Sequence, residues 1–204
     1  TYKASNGTDL RIKLQPNHVW LSARETTLQG IEFSANMPTE EVFTMPHKFK
    51  VDGIVASTKP LVYGGNVIDN FTLTFKDGKI VDFTAEEGYE TLKKLIGTDE
   101  GSHYLGEVAL VEYSSAINQL NIVFQETLFD ENASCHLALG DSFPECIVDG
   151  PNKTKEELTS LGLNKSDNHV DFMIGTEDLS IIGFTHQGEE VPVFVNGNFT
   201  ELFK

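Results

Sequence analysis

The sequence predicts an α+β domain, rich in β-strands of a mixed sheet and carrying a few short helices. Most segments alternate polar and apolar residues, which is typical of strands with one buried face. Only three segments carry a helical pattern, and they do not alternate one for one with strands, so a parallel βαβ fold is not indicated. No repeat or linker divides the 204 residues. We therefore expect one domain spanning residues 1–204.

The first half of the chain is predicted to be almost entirely β-structure. Pro38 and Pro46 interrupt the alternation and predict a loop over 36–49. Asp77-Gly78 separates two alternating runs and predicts a tight hairpin turn. Strands are predicted at 8–14, 18–22, 31–36, 53–65 and 67–85.

The second half mixes helices and strands. Residues 85–101 give the clearest helix, because acids crowd its start, lysines its later part, and Gly97 can end it. Shorter helices are predicted at 133–143 and 153–164. Strands are predicted at 103–113, 120–127 and 169–175, followed by a strand and hairpin set over 179–199.

Charge and composition limit the partners. The chain carries 31 acidic and 15 basic residues, a net charge of −16, which argues against nucleic acid and anionic membranes as partners. No apolar run approaches the roughly 20 residues of a membrane span, and no secretory leader opens the chain. Two cysteines do not make a disulfide framework and are read as reduced thiols. These features predict a cytoplasmic protein, and Thr1 in place of an initiator Met predicts a piece of a longer one.

Residues 128–143 concentrate groups that bind metals or carry protons. Asp130 and Glu131 precede Asn132, a residue type that caps helices, and His136 follows. In one interpretation the acids complement a helix dipole and His136 is buried. In the other, Glu131 lies in the loop before the helix and reaches one ion together with His136. Cys135 is interpreted as a small core residue in both.

Three further segments hold carboxylates or imidazoles beside apolar residues. His169 and Asp171 are two apart in a predicted strand and therefore share a face, as metal ligands or as a simple hydrogen-bonded pair. Glu107 lies inside an apolar strand, where a buried carboxylate needs a partner, a proton or a metal. Glu40 and Glu41 lie in the proline-bounded loop. Together these groups form a candidate oxygen and nitrogen site for one or two divalent ions.

Four motifs make the sequence similar to a known family. The segments NMPTEEVFTMPHKFKVDGIVASTKPL, HYLGEVALV, TLFDENASCHLALG and NHVDFMIG resemble, in order, motifs of the thermophilic-type metalloaminopeptidases (aminopeptidase S and T). The resemblance implies the C-terminal catalytic half of such an enzyme, with an N-terminal domain absent. It also implies a homodimer, peptide substrates with a free N-terminus, and two divalent ions, zinc or cobalt first and manganese or magnesium next. The implied ligands are Glu41, Glu107, Glu131, His136, His169 and Asp171, with Glu107 also catalytic.

One position departs from the family pattern. The resemblance implies a catalytic tyrosine seven residues after His136, and this chain has Phe143 there. Tyr63, Tyr104 and Tyr113 are the candidates to replace its hydroxyl. The sequence thus predicts a two-metal aminopeptidase that hydrolyses N-terminal residues from peptides. The alternatives are a weakened or inactive metal-binding or dimerisation module, or another two-metal amide or ester hydrolase, such as a phosphoesterase, although no basic cluster near the motifs would hold a phosphate.

Overall fold

The computed structural model describes residues 1–22 and 24–203, and in them two main sheets carry the fold. The smaller sheet has the strand order β12-β11-β10-β5, and its members are β5 (Val42–Thr44), β10 (Leu105–Leu110), β11 (His136–Gly140) and β12 (His169–Met173). A separate hairpin joins β3 (Arg24–Thr26) to β4 (Glu32–Ser34). The larger sheet consists of β1 (Tyr2–Lys3), β2 (Asp9–Leu14), β6 (Pro46–Ala56), β7 (Leu61–Tyr63), β8 (Asn66–Lys76), β9 (Lys79–Glu87), β13 (Ser180–Phe184), β14 (Glu190–Val195) and β15 (Asn198–Phe199).

The helices are short. The α-helices of the described residues are α1 (Tyr89–Ile96), α2 (Ala116–Gln119), α3 (Thr127–Asp130) and α4 (Lys155–Ser160). Helix α4 begins at a capping box in which Thr154 and Glu157 satisfy each other's backbone N–H groups. Turns of 3₁₀ helix lie at Gly101–His103, Glu131–Ala133, Pro144–Cys146 and Gly150–Asn152. No helix in the described part of the chain is long and apolar enough to cross a membrane.

The main core lies between the two sheets. Each strand of the smaller sheet alternates, so that Leu137 and Leu139 of β11 and Phe172 of β12 enter the core. Phe172 packs against Phe71 of β8 with ring centroids 5.5 Å apart. The apolar stripe of α1 joins the same core through Leu92, Leu95 and Ile96. The opposite face of the smaller sheet is thereby left to the polar residues of the same strands.

The predicted fold class is confirmed, since the chain is sheet-rich with a few short helices. The described strand pairs are all antiparallel, so the mixed strand direction that the sequence suggested is not found among them. The helices predicted at 85–101 and 153–164 are present as α1 and α4. The Asp77-Gly78 turn joins β8 to β9, and both of its residues have positive φ, as this type of hairpin turn requires.

The helix predicted over 133–143 is wrong, because residues His136–Gly140 of this segment form strand β11. The segment His136–Gly140 is too short for its hydrophobic pattern to distinguish a helix from a strand. It forms a strand because it lies between β10 and β12 and makes backbone hydrogen bonds to both. Asn132 consequently caps no helix and lies in the 3₁₀ turn before the strand.

Three other local predictions are wrong. Residues 120–127 form no strand; residues 120–126 connect α2 to α3, and Thr127 begins α3. The predicted loop over 36–49 contains β5 and the start of β6. Residues 18–22 make isolated bridges only, at His18 and Leu21. In each case the outcome depends on whether a distant segment of the sequence pairs with these residues, which no local pattern shows.

Two glycines allow the segments around the polar face of the smaller sheet to approach closely. A Cβ on Gly106 would lie 2.0 Å from the carbonyl oxygen of Asp141, and one on Gly140 would lie 2.2 Å from that of Asn168. Gly140 also has a φ of +110°, which side-chain-bearing residues rarely adopt. The two glycines therefore allow β10, which carries Glu107, and the start of β12, which carries His169, to pack closely against Gly140 and Asp141 at the end of β11.

Candidate metal centre

The polar face of the smaller sheet carries the site. Glu107 of β10, His136 of β11, and His169 and Asp171 of β12 lie on three neighbouring strands. Ala138 of β11 pairs with both Glu107 and Asp171. Because the alanine between them is small, the two carboxylates have space to converge above it.

Two more carboxylates reach this face from outside its strands. Glu41 comes directly before β5, and Glu131 begins the 3₁₀ turn that leads into β11. The adjacent Glu40 has an exposed side chain, so the structure brings Glu41 to the cluster and leaves Glu40 in solvent. All six residues implied by the family resemblance are thus brought together, although they span Glu41 to Asp171 in the sequence.

The six residues form three overlapping groups whose ligand atoms lie within 4.8 Å of one another: Glu41, Glu107 and His136; Glu107, His169 and Asp171; Glu131, His136 and Asp171. Glu107 lies between the two imidazoles. Its Oε1 is 3.5 Å from Nε2 of His136, and its Oε2 is 3.7 Å from Nε2 of His169. A carboxylate in this position could be a ligand of two neighbouring ions at once, through its two oxygens.

Both imidazoles are oriented by backbone carbonyl groups. Nδ1 of His136 lies 3.1 Å from the carbonyl oxygen of Ser134, and Nδ1 of His169 lies 2.9 Å from that of Asp141. A carbonyl oxygen can only accept, so each Nδ1 carries the hydrogen and donates it. In the neutral ring this leaves the Nε2 lone pair directed at the carboxylates, which is the usual arrangement of a metal-binding histidine.

Several atoms of the cluster are buried without hydrogen-bond partners. They are Oε2 of Glu41, Nε2 of His136 and Oδ1 of Asp171. Glu41 Oε2 and His136 Nε2 are only 2.9 Å apart, yet their relative orientation is not that of a hydrogen bond. Buried polar atoms are normally paired, and oxygen and nitrogen atoms left open in one cluster fit a divalent cation. The residues present therefore suit the metal that the donor set implies.

Burial and mutual charge shift the pKa values of several residues in the cluster. Burial, together with the charge of Asp171, raises the pKa of Glu131 to about 8. Burial and the same neighbour raise the pKa of Glu107. Burial alone would lower the pKa of both histidines, but the carboxylates around them outweigh it. The pKa of His169 rises to about 9, and that of His136 rises well above its ordinary value.

The cluster opens into a cleft of about 630 Å³. Strand β3 and the segment after β4 form one side, and Phe43 and Phe143 belong to the apolar wall. Phe143 is 39% exposed, and its ring centroid lies 4.8 Å from that of His169 and 6.1 Å from that of Phe43. Glu25 and Glu145 add two further acids to the lining.

The three tyrosines considered as replacements for a hydroxyl at position 143 are not among the described residues that line this cleft. Tyr104 is buried against Phe49, and Tyr113 lines a separate polar cleft. Asp130 is also outside the cluster, because its carboxylate accepts hydrogen bonds from the backbone of Phe124 and Glu126. Cys135 is buried and donates to the carbonyl of Val111, in keeping with the core role predicted for it.

Sequence reasoning missed the role of Asn132 and the aromatic wall. Asn132 was interpreted as a helix cap, but its side chain contacts the segment that carries Glu41. No periodicity in the sequence reveals such a contact. The sequence signal for Phe43 was its place two residues after Glu41. In the structure it pairs with Ala109 of β10, which shares the face of Glu107.

Comparisons with known proteins show the family to which the chain belongs. Residues 1–199 match the family described as thermophilic metalloprotease (M29). Aminopeptidase AmpS of Bacillus subtilis is 59% identical over 195 residues, covering 96% of this chain and 48% of the relative. Aminopeptidase 2 of Geobacillus stearothermophilus is 55% identical, covering 95% of this chain and 47% of the relative. The structure of wild-type AmpT from Thermus thermophilus superposes with a TM-score of 0.91 at 38% identity, covering 97% of this chain and 48% of that one. The chain thus spans about half the length of these relatives.

Proposed function

Because this chain belongs to the thermophilic metalloprotease (M29) family, we propose that it is the catalytic domain of a metal-dependent aminopeptidase. Its substrates are peptides with a free N-terminus, from which it removes the first residue. The observation that carries this proposal is the cluster of four carboxylates and two imidazoles at the base of the cleft, with buried atoms that lack hydrogen-bond partners.

The proposed site holds two divalent ions. The ligands are Glu41, Glu107, Glu131, His136, His169 and Asp171, and the overlap of their groups through Glu107, His136 and Asp171 favours two neighbouring ions over one. Carboxylates combined with imidazoles suit zinc or cobalt first, and also manganese or magnesium. Divalent ions held in this way supply Lewis acidity, which activates water and polarises a peptide carbonyl.

Glu107 is the proposed general base and acid. It is 5% exposed, so few water molecules compete for its oxygens, and burial raises its pKa, which favours its acting as a proton acceptor. A carboxylate oxygen of Glu107 would take a proton from the attacking water. The same oxygen would return the proton to the amine that leaves.

The charge of the cleft supports exopeptidase action. Glu25 and Glu145 line the cleft in addition to the proposed ligands, so a free α-ammonium group entering it meets several carboxylates. An acetylated N-terminus carries no charge and gains nothing from them. A chain that hydrolyses acetylated and free peptides equally well would contradict this part of the proposal.

The test begins with ion binding. The chain is stripped with a chelator and titrated with zinc or cobalt, and bound ions are counted by mass spectrometry of the intact protein under native conditions. Glu41→Gln is expected to weaken binding. The matched control is Glu40→Gln, which neutralises the neighbouring exposed acid and is expected to leave ion binding unchanged. Equal binding by the two variants would remove Glu41 from the ligand set.

Turnover is then measured on aminoacyl anilides, with phosphomonoesters as the alternative substrates. Glu107→Gln keeps the shape of the side chain and removes its charge and basicity, so kcat, compared at equal ion content, is expected to fall by about 10² to 10⁴. Hydrolysis of phosphomonoesters in place of anilides would favour another two-metal hydrolase.

A second candidate function follows from Phe143. Its ring lies beside His169, where the family resemblance implies a tyrosine, so a weakened enzyme or a metal-binding module without turnover is the alternative. Ion binding without anilide hydrolysis would favour the module. Homodimer formation and a cytoplasmic location stay predictions, and sedimentation of the purified protein tests the first.

A further inference from the structure

Asn132 joins two parts of the candidate metal centre that lie far apart in the sequence. Its side chain is 1% exposed and makes two hydrogen bonds in opposite directions. Oδ1 accepts from the backbone N–H of Glu40 at 2.6 Å, and Nδ2 donates to the carbonyl of Leu128 at 2.9 Å. The first bond spans 92 residues.

The chemistry of its partners fixes the orientation of this amide. A backbone N–H can only donate and a carbonyl can only accept, so the two ends of the amide cannot be exchanged. The backbone of Asn132 is held as well, because its carbonyl accepts from Oγ of Ser115 at 3.0 Å. The residue is therefore anchored on one side and contacts the Glu41 segment on the other.

The two tied segments carry the two carboxylates that do not come from β10, β11 or β12. Glu41 directly follows the residue whose N–H is bound, and Glu131 directly precedes Asn132. Two of the three ligand groups include one of these carboxylates. The third group, which consists of Glu107, His169 and Asp171, stands entirely on paired strands.

We propose that Asn132 is a positioning residue that holds the Glu41 segment against the Glu131 turn. Each of these two carboxylates then stays in the ligand group that it shares with His136, where one of the two ions would bind. The inference rests on the proposed function, since it concerns the same ions. It differs in assigning unequal support to the two: one ion depends on the Asn132 amide, and the other depends on the sheet alone.

The experiment compares three variants of the chain by cobalt titration. Asn132→Ala removes the amide. Asn132→Gln keeps the amide and moves it outward by one methylene. Leu92→Ala is the control for general destabilisation, because Leu92 is fully buried in α1 and packs in the core rather than at the cleft. Ion counts come from native mass spectrometry, and the affinity of each ion comes from calorimetry and the visible absorption of bound cobalt.

Asn132→Ala is expected to weaken one ion by about ten- to hundredfold and to leave the other unchanged. Leu92→Ala is expected to lower the melting temperature and to leave both ions unchanged. If Asn132→Ala does not fold, Asn132→Gln is expected to show the same selective loss. Equal weakening of both ions, or affinities in both Asn132 variants that match the parent chain, would overturn the proposal. Failure of the parent chain to bind cobalt would instead overturn the proposed function.

Discussion

Replacing Phe143 by tyrosine adds one hydroxyl group to the wall of the cleft at the position where the family resemblance implies one. The ring of Phe143 is 39% exposed and packs on the rings of His169 and Phe43 at centroid distances of 4.8 and 6.1 Å. A partly exposed ring can gain a hydroxyl without forcing the core apart. We therefore expect Phe143→Tyr to change the free energy of unfolding by less than about 0.5 kcal/mol.

The expected effect on turnover is much larger. The new hydroxyl is a neutral hydrogen-bond donor next to an imidazole of the candidate centre, where the proposed hydrolysis would develop charge on the carbonyl oxygen. A single donor of this kind contributes a factor of about 10² to 10³ in kcat, which corresponds to roughly 2.7 to 4 kcal/mol of transition-state stabilisation. We expect Phe143→Tyr to raise kcat by about this factor while KM changes little.

The assay compares aminoacyl anilide hydrolysis by the cobalt-loaded parent, Phe143→Tyr and Phe43→Tyr. Phe43→Tyr is the matched control, because it adds the same hydroxyl to the neighbouring aromatic residue of the same wall. Ion content is measured for each protein, so that a change in kcat is not mistaken for a change in loading. An increase of the same size in both variants would refute the reasoning, since the position of the donor would then be irrelevant. If the parent and Phe143→Tyr both bind ions and neither hydrolyses the anilide, the result would favour a metal-binding module.

Three further predictions concern protons. Because burial raises the pKa of Glu131 to about 8 and neighbouring carboxylates raise that of His169 to about 9, the ion-free chain holds protons at pH 7 that bound ions must displace. Calorimetry in two buffers of different ionisation enthalpy should therefore give different apparent binding enthalpies, and equal values would contradict this. The folded pKa of Glu131 exceeds its unfolded value, so the stability of chelated protein should fall as pH rises from about 4 to 8, by at most about 1.4 kcal/mol per unit. Urea unfolding should show that decline vanish when zinc is added. Partial burial opposes ionisation of Asp99, but hydrogen bonds hold its pKa well below the ordinary range, so its contribution is present above about pH 4 and is lost at lower pH. Asp99→Asn should cost about 1 to 2 kcal/mol at pH 7 and much less near pH 2, whereas an equal loss at both would show that the charge is not involved. The donors to Asp99 are the backbone N–H groups of Ser102 and Asp167 and the hydroxyls of Ser102 and Ser166.

The sequence predicted those parts of the site that depend on the alternation of a single strand. His169 and Asp171 had to share a face of β12 because they are two residues apart, and their Nε2 and Oδ1 atoms lie 3.6 Å from each other. Glu107 was expected to be buried because apolar residues surround it in its strand, and it is. The choice of Glu41 over Glu40 needed the family resemblance, since two adjacent acids in a loop have no period.

What the sequence could not predict depends on contacts between distant segments. His136 was assigned to a helix, and only the pairing of β11 with β10 and β12 makes it a strand residue. The same error misjudged Asn132, whose local pattern of an amide before an apolar run is equally suited to capping a helix. Its actual partner, the N–H of Glu40, lies 92 residues away and leaves no local signal.

The structure also explains how one fold tolerates four carboxylates so close together. On the sheet, the alternation that directs Glu107 and Asp171 to one face directs leucines and Phe172 to the other. The packing of the core therefore also fixes the positions of these two acids. Glu41 precedes β5 and Glu131 lies in a 3₁₀ turn, so neither residue is itself paired in the sheet and each needs a further constraint. The buried amide of Asn132 supplies that constraint from neutral atoms, which adds no charge to an already acidic site. It follows that the sheet part of the centre should persist whenever the domain folds, whereas the part that carries Glu41 and Glu131 should be the first to loosen when the ions are removed.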